Sequence, residues 1–311
     1  MYDYGRSSAI CAAASATYRS DPNTNQDSHA QVLLPYGPCV LVADGLGSHS
    51  CAAEAARFCT ERMASLLAGF VVPPSRSELV SAFHSLNEEL QRYGNRVGEA
   101  VHRDPDDHKF MGTTLLIGCE MPDELLISYV GNGAAFRLPG NFWQFPAEVA
   151  LPWCWLNLLC PHTMLQDGKE VLIRYLSPAS VQSMAMPSAL RIDKDSEVGD
   201  VLIVATDGIF SADQARRGTA MGTHWIEAGA NLVALHRVLL GLFGADRRIE
   251  VADLESALTG YLGELASNGA LEDDASIAII VTQDAVSYQA EAHAQRRGKE
   301  GGDDHSDEDR G

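Results

Sequence analysis

Two segments of this 311-residue chain share one construction. "PCVLVADGLGSHS" (38–50) carries the apolar run Val40 to Ala43 straight into Asp44-Gly45. "GDVLIVATDGIF" (199–210) carries Val201 to Ala205 into Thr206-Asp207-Gly208. A short continuous apolar run bounded by turn residues predicts a strand buried on both faces. A single carboxylate at the end of such a strand reads as a turn or cap residue. Here the device recurs: Asp27 stands ahead of the strand-like run near 30–35, and Asp273-Asp274 in "LEDDASIAIIV" stand just before the final one. Like charges gathered at one sheet end repel unless a cation lies between them.

The donor chemistry says which cation. Carboxylates, a backbone carbonyl brought close by a glycine turn, and water form an all-oxygen set, which suits Mg²⁺ or Mn²⁺ rather than zinc. The seven cysteines are scattered and contain no C-x-x-C pair, so they offer no structural zinc site. They read as free, mostly buried thiols of a reducing compartment, and the expected location is cytoplasmic. A formal net charge of −19 disfavours nucleic acid or an anionic membrane surface as partner, and predicts no extended basic groove of the kind a nuclease needs. No run of 18 apolar residues predicts a membrane span. "SSAICAAASATY" (7–18) lacks the basic start of an export signal and reads as the first strand.

Further strand-like runs fall at 9–18, 30–35, 113–119, 124–130, 134–138, 170–176 and 275–282. Helical spacing is clear through Ala55, Cys59, Met63, Leu66 and Phe70, and again from Leu79 to Val101. Later helices follow Leu232 to Leu242 and Val251 to Leu265. Two sequential helix pairs set between groups of strands predict an α+β fold, with sheets packed together and helices outside. "LPGNFWQFPAEVALPWCWLNLLCPHTM" (138–164) holds three of the four tryptophans and predicts an irregular insertion to about 168, folded beside the core. Residues 285–311 are polar and charged, and read as a disordered acidic tail.

Six motifs in order resemble the metal-dependent serine/threonine phosphatases of the type 2C family, particularly its bacterial members. They are "NQD" (25–27), "VADGLGSH" (42–49), "MGTT" (111–114), "YVGNGAAFRL" (129–138), "GDVLIVATDGIF" (199–210) and "EDDASIAIIV" (272–281). The resemblance spans roughly residues 9–283. It implies a four-layer αββα sandwich over 1–284, two antiparallel sheets flanked by pairs of helices. It also implies hydrolysis of phosphoserine or phosphothreonine esters on proteins by a hydroxide bridging two Mn²⁺ or Mg²⁺ ions.

Carried over by position, Asp44 would bridge both ions and the Gly45 carbonyl would bind one. Asp207 and Asp273 would hold the other, with Asp27 contributing directly or through water. Three departures stand out. Pro22 occupies the place where the family often has a phosphate-gripping arginine, which leaves Arg19 as the candidate for phosphate. Asn132 replaces an aspartate that serves a third ion, which argues against a third ion here. Ser48 replaces the second glycine of the D-G motif. His49 is a candidate general acid, with a helix-opening packing role as the alternative. Thr113 and Thr114 read as strand residues supporting the site. The expected partner is a phosphoprotein, opposing a serine/threonine kinase in signalling. The competing readings are a degenerate member that binds phosphorylated partners without turnover, and a hydrolase of small phosphate esters.

Overall fold

The computed structural model describes residues 9–19, 21–101, 110–145, 155–167, 169–179, 184–209, 216–220, 223–227 and 229–300. Its strands and helices, in chain order, are β1 (Ile10–Ala16), β2 (Asp27–Leu34), β3 (Gly37–Asp44), α1 (Ala52–Ala68), α2 (Arg76–Ala100), β4 (Leu115–Glu120), β5 (Glu124–Val130) and β6 (Ala134–Pro139). There follow β7 (Thr163–Gln166), β8 (Lys169–Leu172), β9 (Ser188–Asp193), β10 (Asp200–Ala205), β11 (Arg216–Ala220), β12 (Thr223–Glu227), α3 (Ala230–Gly244), α4 (Val251–Ser267), β13 (Ala275–Val281) and α5 (Gln283–Glu300).

Two antiparallel sheets carry the architecture, one ordered β1-β13-β10-β6 and the other β2-β3-β4-β5-β9. Their inner faces meet in a dry layer: Val40, Val42, Leu116 and Ile127 from one sheet face Leu202, Val204, Ala278 and Ile280 from the other. The outer face of β3, through Cys39, Leu41 and Ala43, packs on α1 and α2. The outer faces of β10 and β13, through Val201, Ile203, Ile277 and Ile279, pack on α3 and α4. Alternate residues of these strands therefore enter two different cores, which is why they read as unbroken apolar runs. Full burial of each Val, Leu or Ile contributes about 1.5–3 kcal/mol, so a one-residue slip of register is heavily disfavoured. The four layers expected from the resemblance are present.

Helix starts follow local chemistry. Ser75 caps α2 in a reciprocal box with Glu78, and Glu250 and Asp253 form a similar box at α4. Cys51 gives α1 no side-chain cap, and the N-terminus of that helix lies instead against the Gly45 turn.

Two expectations need correction. Residues 283–300 are helical, not a disordered tail; the rest of that tail, 301–311, lies outside the described residues. Ala285 and Val286 enter the apolar core, while Gln289 and His293, four apart on one face, are buried polar residues. The Gln289 amide donates to the carbonyls of Phe243 (3.2 Å) and Arg247 (2.9 Å), and His293 Nε2 bonds the Phe243 carbonyl at 2.9 Å. Phe243 lies in the last turn of α3, where a helix leaves its carbonyls unsatisfied, and Arg247 lies in the loop just after it, so a polar stripe anchors α5 where an apolar one was sought. The Trp-rich segment, expected to fold as an irregular insertion beside the core, lies partly within it. Phe142, Trp143 and Trp155 belong to the core under α3, and residues 157–162 run along the free edge of β6. Trp153 and the rest of 146–154 lie outside the described residues.

Candidate metal centre

The strand pairings bring the separated acidic motifs together. Asp27 opens β2 and Asp44 closes β3, and the two are direct cross-strand partners. Asp207 follows β10, Asp273 and Asp274 precede β13, and those two strands pair side by side in the facing sheet. Four motifs spread over nearly 250 residues thus meet at one end of the sandwich.

Each carboxylate is held by its own backbone and hydroxyl contacts. The Asp44 amide donates to Thr114 Oγ1 at 3.0 Å. Its carbonyl accepts from the Thr114 amide and the Thr113 hydroxyl, both at 2.8 Å. Thr113 and Thr114 thus hold the end of β3. The Gly45 amide donates to the Gln26 carbonyl (3.1 Å), tying the D-G turn to the residue before Asp27. Asp27 is buried, and its Oδ2 accepts from the Thr206 hydroxyl at 2.6 Å. Thr206 is in turn fixed by the Ser276 amide (2.8 Å), so one hydroxyl connects the two sheets. On Asp207, Oδ2 accepts from the Asn132 amide at 2.5 Å.

Asp273 and Asp274 divide their work. Asp273 is exposed at the rim and its Oδ1 accepts from the Asp274 amide (2.8 Å). Asp274 is buried; it accepts from the Gln26 amide at 2.7 Å and from the Thr17 hydroxyl. It clamps β13 to the loop that presents Asp27. This clamping role of Asp274, and those of Thr206 and Thr17, were not legible in the sequence. The one available signal was the threonine ahead of Asp207, which matches the hydroxyl position of the T-D-G motif.

Arg19 reaches the same end of the molecule. Its guanidinium lies 5.2 Å from the Tyr18 ring, donates to the Thr24 carbonyl (3.3 Å), and feels the charges of Asp274 and Asp273. Pro22 lies in a short 3-10 turn between Arg19 and Asp27. His49 sits at the turn before α1, its Nδ1 within 3.2 Å of the Ser48 hydroxyl and its ring edge-on to Tyr175.

Electrostatics mark the cluster as under-compensated. Burial, reinforced by the nearby Asp207 and Asp274 charges, pushes Asp27 up to about 8 despite the Thr206 hydrogen bond. Burial likewise raises Asp44 well above the carboxylate range, with Asp27, Asp207 and Asp273 adding repulsion. Among the described residues, no hydrogen-bond donor reaches the second, buried oxygen of Asp27. Among the described residues, no three His, Cys, Asp or Glu side chains already stand in metal-binding geometry. What is present is a set of mutually repelling oxygens with an unsatisfied lone pair. That set fits hard divalent cations, which supply the missing positive charge.

Residues 16–148 match the family model described as protein phosphatase 2C. No curated protein matches the sequence. The fold is similar to the S. agalactiae serine/threonine phosphatase, at 17% identity and TM-score 0.59, over 88% of this chain and 99% of that one. It is also similar to the Mycobacterium tuberculosis serine/threonine phosphatase PstP/Ppp, at 18% identity and TM-score 0.55, over 88% and 98%. A third likeness is to the catalytic domain of PstP in complex with two manganese ions, at 17% identity and TM-score 0.50, over 88% and 97%.

Proposed function

We propose that this chain, which carries the protein phosphatase 2C fold and matches that family's model over residues 16–148, hydrolyses phosphoserine and phosphothreonine esters on proteins in a Mn²⁺- or Mg²⁺-dependent reaction. The carrying observation is the meeting of Asp27, Asp44, Asp207 and Asp273 at one end of two facing sheets, with Asp27 and Asp44 raised by burial and mutual charge.

Asp44, Asp207 and Asp273 would hold the ions, together with Asp27 and the carbonyl of Gly45. When bound, such ions lower the pKa of water and offset charge on the phosphoryl oxygens. The chain's own contribution is preorganisation. Thr113 and Thr114 fix Asp44, the Asn132 amide turns Asp207, and Asp274 locks the two sheets together. Arg19, at the rim beside Tyr18, would take the substrate's phosphate. His49, at the mouth of the D-G turn, would give a proton to the leaving serine or threonine oxygen. Asn132 in place of a carboxylate leaves the site suited to two ions rather than three, since a neutral amide is the poorer ligand for a hard cation.

The described part of the Trp-rich segment follows the β6 edge, which supports a substrate as bulky as a protein chain over a small ester. The physiological setting proposed is cytoplasmic signalling, opposite a serine/threonine kinase. No described helix is long and apolar enough to cross a membrane.

The test is phosphate release from a phosphothreonine peptide with Mn²⁺, then with excess chelator. Turnover should require the metal and fall by about a thousandfold or more in Asp207→Asn, a loss of about 4 kcal/mol in transition-state stabilisation. Unchanged turnover in chelator or in the variant would overturn the two-ion reading. Metal binding without turnover would shift it to a phosphoprotein-binding protein.

A further inference from the structure

On the outer helix layer, α1 and α2 form a groove of about 680 Å³ lined by Phe58, Arg62, Glu89, Arg92, Asn95 and Arg96. Three guanidiniums against one carboxylate is an unusual local balance in a chain of net charge −19. Arg62 is engaged, since it forms a two-nitrogen pair with Glu89. Arg92 donates its Nε to the Glu88 carbonyl at 3.3 Å, and Arg96 lies 5.9 Å from the Tyr93 ring. Among the described residues neither forms an ion pair. They sit four apart on α2, on one exposed face.

Beside them lies a stacked aromatic pair. Phe58 stacks on Tyr93 at 4.5 Å and 13°, and the Tyr93 hydroxyl donates to Glu54. A guanidinium lying over an aromatic ring is preorganised to accept a carboxylate without losing further side-chain freedom.

The groove lies toward the carboxylate end of the molecule. The Ala52 carbonyl at the start of α1 lies against Gly45, 2.5 Å from where a Cβ on that glycine would stand. Phe58 and Arg62 follow about 9 and 15 Å farther along the axis. The Tyr93–Glu54 and Arg62–Glu89 contacts show that α2 runs antiparallel, with Arg96 toward the site end. An extended chain covers that distance in about three to five residues.

We propose that the α1/α2 groove is a docking site for an acidic stretch of the phosphoprotein substrate, lying about three to five residues from the phosphoresidue, with Arg92 and Arg96 as its carboxylate contacts. The proposal rests on the hydrolysis reading above and names the substrate feature it selects. Acidic segments would otherwise be repelled by this chain, so the groove supplies selectivity as well as affinity.

The full chain is assayed on two phosphothreonine peptides that differ only in a tract of four glutamates, or four serines, beginning three residues from the phosphoresidue, with the tract placed on either side. Binding of the unphosphorylated, labelled glutamate peptide is measured separately by fluorescence polarisation. Wild type should favour the glutamate peptide by about tenfold in kcat/KM, through KM. Arg92→Glu/Arg96→Glu should abolish the preference and weaken peptide binding by a similar factor, with turnover of the serine peptide unchanged. Arg237→Glu/Arg248→Glu, the same charge change in the opposite helix layer, should leave the preference intact. Equal turnover of both peptides by wild type, or equal loss in the two double variants, overturns the docking site. If no peptide is hydrolysed while the binding difference persists, docking stands and the hydrolysis reading falls.

Discussion

Asp44-Gly45 and Asp207-Gly208 repeat one sequence device on two different sheets, and the protein secures them in different ways. Asp44 is pinned through its backbone by two threonines, and Gly45 is wedged between two stretches of main chain, the carbonyls of Ala52 and Gln26. Asp207 is pinned through its side chain by Asn132, and Gly208 lies against one neighbour, the main chain of Asp274 and Ala275. The first turn therefore joins a sheet to the start of α1. The second joins adjacent strands of the other sheet to the loop that carries Asp273. Identical local chemistry serves two jobs because each glycine leaves room for a different main-chain neighbour.

The largest test of that difference is a methyl group. In Gly208→Ala the added Cβ would stand 1.9 Å from the Asp274 carbonyl oxygen, against 2.5 Å from the Ala52 oxygen in Gly45→Ala. Backbone cannot swing away as a side-chain end can. Losses on the order of 3–4 kcal/mol for Gly208→Ala and 2–3 kcal/mol for Gly45→Ala should appear in denaturant unfolding. Equal, small effects would mean that neither turn needs its glycine.

A middle-sized effect concerns charge. Burial raises Asp27 to about 8 and lifts Asp44 as well, so both favour the protonated form in the folded, metal-free chain. Stability from a raised carboxyl is fully present below its unfolded pKa, near 4, and is lost as pH rises through the folded value. In chelator, the melting temperature should therefore decline between about pH 5 and 8. Asp27→Asn should flatten that decline, and added Mn²⁺ should reverse it at pH 8. A melting temperature that climbs with pH over that range would contradict the picture.

The smallest effect separates the two ways of holding a carboxylate. Asn132→Asp replaces a donated hydrogen bond to Asp207 with a second negative charge. It should cost about 1 kcal/mol in the metal-free protein, with most of the loss recovered when Mn²⁺ is added. Thermal melts with and without metal read this directly; an unaltered metal-free melt would show that the Asn132 contact does not matter.

Much of the fold was legible because burial on both faces leaves a strong pattern. β3, β10 and β13 announce themselves as apolar runs, and α1 and α2 as stripes at helical spacing. β9 was missed because "SALRID" alternates exposed and half-buried residues at a sheet edge, a weaker signal than a continuous run. α5 was missed because its anchoring residues, Gln289 and His293, are polar and earn burial only by meeting the open carbonyls at the end of α3. The Trp-rich segment reads as an irregular insertion beside the core because its prolines hide any period, although Phe142 and Trp155 fill the core beneath α3.

By itself the sequence determined which residue types stand at the strand ends, and hence the oxygen-rich chemistry: that information is local, written in apolar runs closed by Asp and Gly. Only the tertiary structure decided which of those carboxylates become neighbours. It set Asp27 against Asp44 across a strand pair, made Asp274 a clamp and left Asp273 at the rim, and put Arg92 and Arg96 in one groove beside a stacked aromatic pair. Register, sheet stacking and helix pairing are long-range outcomes of burying two cores at once, and no short stretch of chain encodes them alone.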